Sequence, residues 1–174
     1  MPTLQERAQA IRLVCTDVDG VLTTGQLHFS GDGTHTKAFH VRDGAATVYL
    51  QRSGIKVAFI SGLDSPSTWA RAKHLGVADC FAGDLAKGPI LAQLCAKYGL
   101  TPEQVAHIGD DLPDLPILRR AGLACCPEDA VDEVKRVCHL VLPVRGGQGV
   151  LRPVAELVLK AQGLWDSVVD KYQD

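Results

Sequence analysis

Short apolar runs alternate along this chain with longer segments of mixed polarity. The runs at Arg12–Thr16, Lys56–Ile60, Asp79–Phe81, Val105–Ile108 and Leu123–Cys125 have the length and continuity of buried strands. Between and after them lie helix-length stretches, Ala45–Arg52, Ser67–Leu75, Gly88–Tyr98, Asp114–Ala121 and Ala130–Val137. Gly54, Gly76, Gly99 and Gly122 stand where helices would stop. Strictly alternating strands and helices predict an α/β fold, a Rossmann-like parallel sheet with helices on both faces. Gly25–Val41 breaks the alternation. Its two strand-like pieces flank the turn-forming Ser30-Gly31-Asp32-Gly33, so a β-hairpin is expected to project from the carboxyl end of the first strand. Beyond Gly149 a polar-apolar helix runs toward Trp165.

At 174 residues, with no repeat, low-complexity tract or linker, the chain is expected to form a single domain over residues 1–174. A formal charge of −2 without Lys/Arg clusters gives nucleic acid or anionic lipid nothing to recognise. The first residues lack a basic-then-apolar leader, and no later stretch is long enough to span a bilayer, so a cytoplasmic location is expected. Four of the six cysteines sit in or beside apolar runs and read as reduced small hydrophobes. Cys125 and Cys126 are adjacent and have no nearby histidine cluster, which argues against a zinc site.

In open α/β sheets the ligand site lies beyond the carboxyl ends of the strands. Asp17 and Asp19 follow the first predicted strand in DVDGVLT, Ser61 and Gly62 the second, and Asp110, Asp111 and Asp114 the fourth in GDDLPD; Lys87 opens the helix after the third. Carboxylates converging at one edge repel one another unless a cation lies between them. An all-oxygen donor set suits a hard ion, so Mg2+ is the expected cofactor. Asp17 is placed to attack phosphorus and form an aspartyl-phosphate. Asp19 could protonate the leaving alkoxide and then deprotonate water, with Ser61 and Lys87 holding phosphoryl oxygens.

DVDGVLT, the strand-terminal ISG, Lys87 and GDDLPD resemble, in order and spacing, the four motifs of the haloacid dehalogenase superfamily. Over almost the whole chain the sequence is similar to the capless 3-deoxy-D-manno-octulosonate 8-phosphate phosphatases and their nine-carbon sugar-acid relatives. KAFHVRDG, GDDLPDLPIL and GGQGVLRPVAELVLKAQG carry that likeness. The resemblance implies Asp17 as nucleophile and metal ligand, Asp19 as acid/base with its carbonyl on the metal, Asp110 as third ligand, and Asp111 and Asp114 as supporting residues. It implies that His40, Val41, Arg42, Asp43 and Gly44 line the sugar side, with Arg71 and Lys87 completing a positive surround. It further implies a small phosphorylated sugar acid as substrate, a place in lipopolysaccharide biosynthesis, and a homotetramer built around packed hairpins with a neighbour's C-terminal segment closing the site. The chain differs from the family pattern at Leu63, where an arginine is usual, and at Ala45, Ala46, Val48, Val150, Leu151 and Pro153. These differences spare the phosphoryl-transfer motifs and fall on the substrate-reading surface.

Plainer readings compete at several positions. His28, His35 and His40 are better explained by strand faces and polar pairing than by a metal cluster, and His107 by a hydrogen bond within the sheet. Arg145-Gly146-Gly147 could be a simple connection, and Trp69 and Trp165 read as packing residues. Two other functions are weighed: a non-catalytic oligomerisation or regulatory module, and a phosphoacceptor signalling domain. Decay should not preferentially retain Asp17, Asp19, Lys87 and Asp110 together, and Asp19 supplies a hydrolytic group that a long-lived phosphoaspartate does not need.

Overall fold

The computed structural model describes residues 2–173. Six parallel strands form the main sheet: β1 (Leu13–Asp17), β4 (Lys56–Ser61), β5 (Asp79–Ala82), β6 (Val105–Ile108), β7 (Leu123–Cys126) and β8 (Leu140–Val141), in the order β5-β4-β1-β6-β7-β8. From β1 the chain builds outward first through β4 and β5, then reverses to β6, β7 and β8. This reversal makes the carboxyl end of β1 the crevice where such folds bind ligands. Asp17 pairs with Ile60 and Thr16 with Ile108, so Ser61 and Gly109 each stand one step beyond a partner of β1.

Both faces of the sheet are covered, which is why β1 is buried at every position. Alternate strand residues point to opposite sides. Val14, Phe59, Ile108 and Cys125 pack with α1 (Leu4–Ala10), α2 (Val41–Arg52), α3 (Pro66–His74), α7 (Leu151–Ala161) and α8 (Trp165–Val169). Leu13, Cys15, Ala58, Ile60 and Val105 pack with α4 (Gly88–Tyr98) and α5 (Leu115–Leu118) on the other side. Leu118 and Ala124 join α6 (Asp132–Lys135) in a smaller cluster there.

Several element boundaries differ from expectation, each for a local reason. The hairpin is real but its paired part is short, β2 (His28–Phe29) against β3 (His35–Thr36). Val41 does not end it. The His40 side chain accepts from the Arg42 N–H and caps α2, which therefore starts at Val41, four residues earlier than the apolar pattern indicated. Asp114–Ala121 is not one helix. Leu112–Asp114 forms a 3-10 turn and α5 is a single turn, because Pro113 and Pro116 remove donors and Gly122 ends the segment. Ala130–Val137 shrinks to α6. Helix α1, with its Thr3–Glu6 capping box, and the edge strand β8 were not evident from periodicity, being about two turns and two residues long.

Candidate active site

The turn after β1 brings the site together. Leu22 and Thr23 N–H groups both bond back to the Val18 carbonyl, closing the chain tightly around Asp19 and Gly20. Gly20 has φ +97°, and a Cβ there would lie 2.1 Å from Asp110 Oδ2, so only glycine allows the acid after β6 to approach the turn after β1. Behind the turn runs the 145–147 connection. Gly147 N–H donates to the Val21 carbonyl at 2.9 Å, Gly146 N–H donates to Asp129 Oδ1 at 2.8 Å, and a Cβ on Gly146 would meet the Gly20 carbonyl oxygen at 2.1 Å. This segment is therefore a brace for the acidic turn rather than a simple connection.

Asp17, Asp110 and Asp114 present oxygens that lie within 4.8 Å of one another. One buried cation faces them: Lys87 Nζ donates to Asp17 Oδ1 and, at 2.8 Å, to Asp114 Oδ1. The three acids differ in how far they are already satisfied. Asp114 Oδ1 also lies 3.0 Å from His107 Nε2, and its Oδ2 accepts the Asp110 and Asp111 N–H groups at 3.2 and 3.5 Å. Burial alone would raise the Asp114 carboxyl, but the bonds and charges of His107 and Lys87 outweigh it and hold it at about 2. Asp114 is thus a saturated anion that orients Lys87 and the 110–111 backbone.

Asp17 and Asp110 are in the opposite condition. Burial pushes the Asp17 carboxyl well above the usual range despite Lys87, with Asp114 and Asp110 adding to the rise. Burial also takes Asp110 to about 7, with Asp114 contributing, and its buried Oδ1 has no hydrogen-bond partner. Full ionisation of three carboxyls against one ammonium would leave an uncompensated negative charge of roughly two on oxygens that point together, which is why Asp17 and Asp110 hold their protons more tightly than usual. A divalent hard cation fits that donor set and that deficit.

Asp19 sits apart from this cluster with its side chain 25% exposed. Ser61 Oγ lies 2.9 Å from both Asp19 Oδ2 and the Leu63 carbonyl, so its single proton serves one of two acceptors, and it accepts the Leu63 N–H at 3.2 Å. On the other side Lys37 Nζ lies 2.8 Å from each carboxylate oxygen. Lys37 opens the KAFHVRDG stretch with no role legible in the sequence, because a lysine in a hairpin arm ordinarily reads as solvated charge. Asp17, Asp19, Lys87, Asp110, Asp111 and Asp114 line one cavity of about 370 Å³, together with the apolar Leu27, Leu63, Leu85 and Pro113. That volume suits a small-molecule ligand.

His40, Val41, Arg42, Asp43, Gly44 and Arg71 do not line this cavity within the single chain. They form the joint between α2, α3 and α7. His40 is occupied as a helix cap, Val41 is 79% exposed, and Arg42 is exposed. Asp43 Oδ1 accepts the Leu151 N–H at 2.9 Å, tying the first turn of α2 to the start of α7. Arg71 packs on Phe39 and against Gly44, and donates to the His40 carbonyl at 3.3 Å. The early start of α2 is the reason: helical geometry turns Asp43 toward α7 and sets Gly44 against α3, while Val41 and Arg42 face outward.

Asp43 has a measurable consequence. Burial raises its carboxyl to about 7, partly offset by the Leu151 and Arg152 N–H groups and by the Arg71 charge. The folded chain therefore retains a proton that the unfolded chain has released, so this group's contribution to stability falls as pH rises from about 4 to about 7, by a few kcal/mol at most. Asp43→Asn keeps the acceptor for Leu151 and removes the charge. In denaturant titrations with magnesium present, the variant should match the wild type near pH 4 and exceed it at pH 8. Parallel curves for the two proteins would show that Asp43 does not carry this dependence.

Known proteins resemble this chain in sequence and fold. A family model described as haloacid dehalogenase-like hydrolase matches residues 37–122. The 3-deoxy-D-manno-octulosonate 8-phosphate phosphatase of Haemophilus influenzae is 42% identical over 170 residues, covering 98% of this chain and 94% of its own. The crystal structure of the phosphatase of the same name from Moraxella catarrhalis, in complex with magnesium ion, phosphate ion and a KDO molecule, superposes with a TM-score of 0.95 at 38% identity, covering 98% of each chain. A cobalt-bound form of the Haemophilus influenzae enzyme superposes with a TM-score of 0.87 at 42% identity over 90% of this chain and 92% of that one. A parallel sheet whose strand ends gather these acids around one buried lysine defines a phosphomonoester hydrolase of the haloacid dehalogenase class. Within that class the chain belongs to the 3-deoxy-D-manno-octulosonate 8-phosphate phosphatase family.

Proposed function

We infer that the chain hydrolyses 3-deoxy-D-manno-octulosonate 8-phosphate, with Asp17 as nucleophile and Asp19 as acid/base. The observation that carries the substrate is the similarity over 98% of the chain to the Haemophilus influenzae phosphatase of that name. The chemistry is supported by the convergence of Asp17, Lys87 and Asp110 beside a partly exposed Asp19. Asp17 attacks phosphorus; the P–O bond to the sugar breaks and its electron pair leaves with the sugar oxygen, which takes a proton from Asp19. Water then attacks phosphorus while Asp19 recovers a proton from it, the Asp17–phosphorus bond breaks, and inorganic phosphate leaves. Lys87 holds a phosphoryl oxygen during both transfers, Asp114 keeps Lys87 aimed at Asp17, and Ser61 joins Lys87 on the phosphoryl group by turning its proton away from Asp19 and the Leu63 carbonyl. Magnesium, held by Asp17, Asp110 and the Asp19 main-chain carbonyl, would supply neutralisation of the phosphoryl charge.

Asp111 and Asp114 support this set, Asp111 by capping the 3-10 turn that carries Asp114. Among the described residues no helix is long and apolar enough to cross a membrane, and a cytoplasmic location accords with a phosphorylated, water-soluble substrate. A homotetramer would give the exposed Phe29 on the hairpin and Val41 on α2 a partner. Phosphate release with magnesium, measured on a panel of eight-carbon and nine-carbon sugar-acid phosphates and simple esters, should be greatest on the eight-carbon compound. Thorough chelation should suppress turnover by about a hundredfold or more. Preference for a nine-carbon substrate would move the assignment to the related sugar-acid enzymes, and undiminished turnover after chelation would refute the metal's part.

A further inference from the structure

Lys37 carries an inference beyond the four motifs. Its side chain is fully buried, although it lies in the segment leading from the projecting hairpin to α2. Its ammonium has two partners: the Asp19 carboxylate at 2.8 Å and, on the opposite side, Thr68 Oγ1 on α3 at 3.1 Å. Removing an ammonium from water is costly, and an apolar residue would pack in the same place without that cost. The Lys37 contact and the Ser61 contact at 2.9 Å both fall on Asp19 Oδ2, Oδ1 is buried beside Lys37 without a hydrogen bond, and the partly exposed carboxylate lines the cavity that Asp17 and Lys87 also line.

We propose that Lys37 is a positioning residue for Asp19, fixing the carboxyl in the orientation that meets the leaving-group oxygen and making that orientation depend on the seating of the hairpin arm on α3. Lys37 does not line the cavity that Asp17, Asp19 and Lys87 share, so it acts only through Asp19. The proposal rests on the assignment of Asp19 as acid/base given above. Thr68 fixes the far side of the ammonium, so the chain of contacts runs from α3 through Lys37 to Asp19 without involving the Asp17, Asp110 and Asp114 cluster.

The distinguishing measurement compares leaving groups. A sugar alkoxide needs a proton as it departs, whereas 4-nitrophenolate does not, so misplacing the acid should affect the first transfer only for the alkyl ester. With magnesium saturating, Lys37→Met should lower kcat on 3-deoxy-D-manno-octulosonate 8-phosphate by about a hundredfold, with KM little changed. Its first turnover of 4-nitrophenyl phosphate in rapid mixing should stay near the wild-type rate and be followed by slow steady-state release, because water activation also uses Asp19. Lys37→Arg, which restores a cation, should recover part of the loss. Equal loss of first turnover on both esters, or wild-type kcat on both, overturns the proposal. Should Lys37→Met not fold, Lys37→Gln carries the same comparison, with the same split supporting and uniform loss or no loss overturning. Asp19→Asn in parallel separates the two claims. A split in Asp19→Asn without one in the Lys37 variants removes only Lys37's role, whereas full activity of Asp19→Asn removes the acid/base assignment itself.

Discussion

Replacing Asp17 by asparagine is expected to lower turnover by at least about four orders of magnitude, while leaving the fold as stable as the wild type or more so. The amide cannot form the acyl-phosphate, and no other carboxylate can substitute for it. Asp114 has both oxygens saturated by Lys87, His107 and the 110–111 N–H groups, and Asp110 lies across the turn from Asp19. Stability should not suffer because the wild-type carboxylate is itself unfavourable: burial and two neighbouring acids push its titration well upward. Asparagine retains an acceptor for Lys87 and removes one of three crowded charges. Single-turnover phosphate release and denaturant unfolding of the same preparation check both halves, and turnover near the wild-type rate would reject Asp17 as nucleophile.

Lys87→Met should produce the largest loss of stability among the site variants, about 3–5 kcal/mol in metal-free protein. Lys87 Nζ is the cation in contact with Asp17 and Asp114, and it is buried with them. Its own proton is secured because the pull of these two acids outweighs the downward effect of burial. Without it the cluster is an uncompensated buried negative charge. Lowering the pH toward 5 should reduce the deficit by letting carboxyls take up protons, and magnesium should restore part of it by supplying charge at the same place. Activity should fall by about two to three orders of magnitude even in saturating magnesium, since a donor to the transferred phosphoryl group is gone. An unchanged unfolding curve in metal-free buffer would contradict the pivotal charge balance assigned to this lysine.

The acids and the lysine were readable from the sequence because each lies at or just beyond the end of an element whose own pattern is strong. Asp17, Ser61 and Asp110 follow apolar runs that can only be buried strands, and parallel pairing brings their carboxyl ends level whatever the detailed packing. Lys87 opens a helix marked by Gly88-Pro89 and ended by Gly99. Weak local signals failed. Helix α5 was overextended because its apolar residues continue past two prolines, and α2 was started late because a histidine is an uncommon cap.

The HVRDG stretch shows the limit most plainly. Within the chain Asp43 is held by Leu151, 108 residues further on, and Arg71 closes over Gly44. Which way those side chains face depends on where α7 and α3 dock, and no local pattern states that.

The sequence by itself determined the class of chemistry: carboxylates at the ends of parallel strands, one lysine at a helix start, and a hard-metal donor set, all consequences of short-range patterns combined with the geometry of a parallel sheet. Tertiary structure alone decided how those acids divide their work. It saturated Asp114 through His107 and Lys87, left Asp110 Oδ1 without a partner, set Gly146 behind Gly20, and buried Lys37 against Asp19. The reason is physical: hydrogen-bond saturation, desolvation and burial of a charge are properties of contacts between distant segments, and they come into being only when those segments pack.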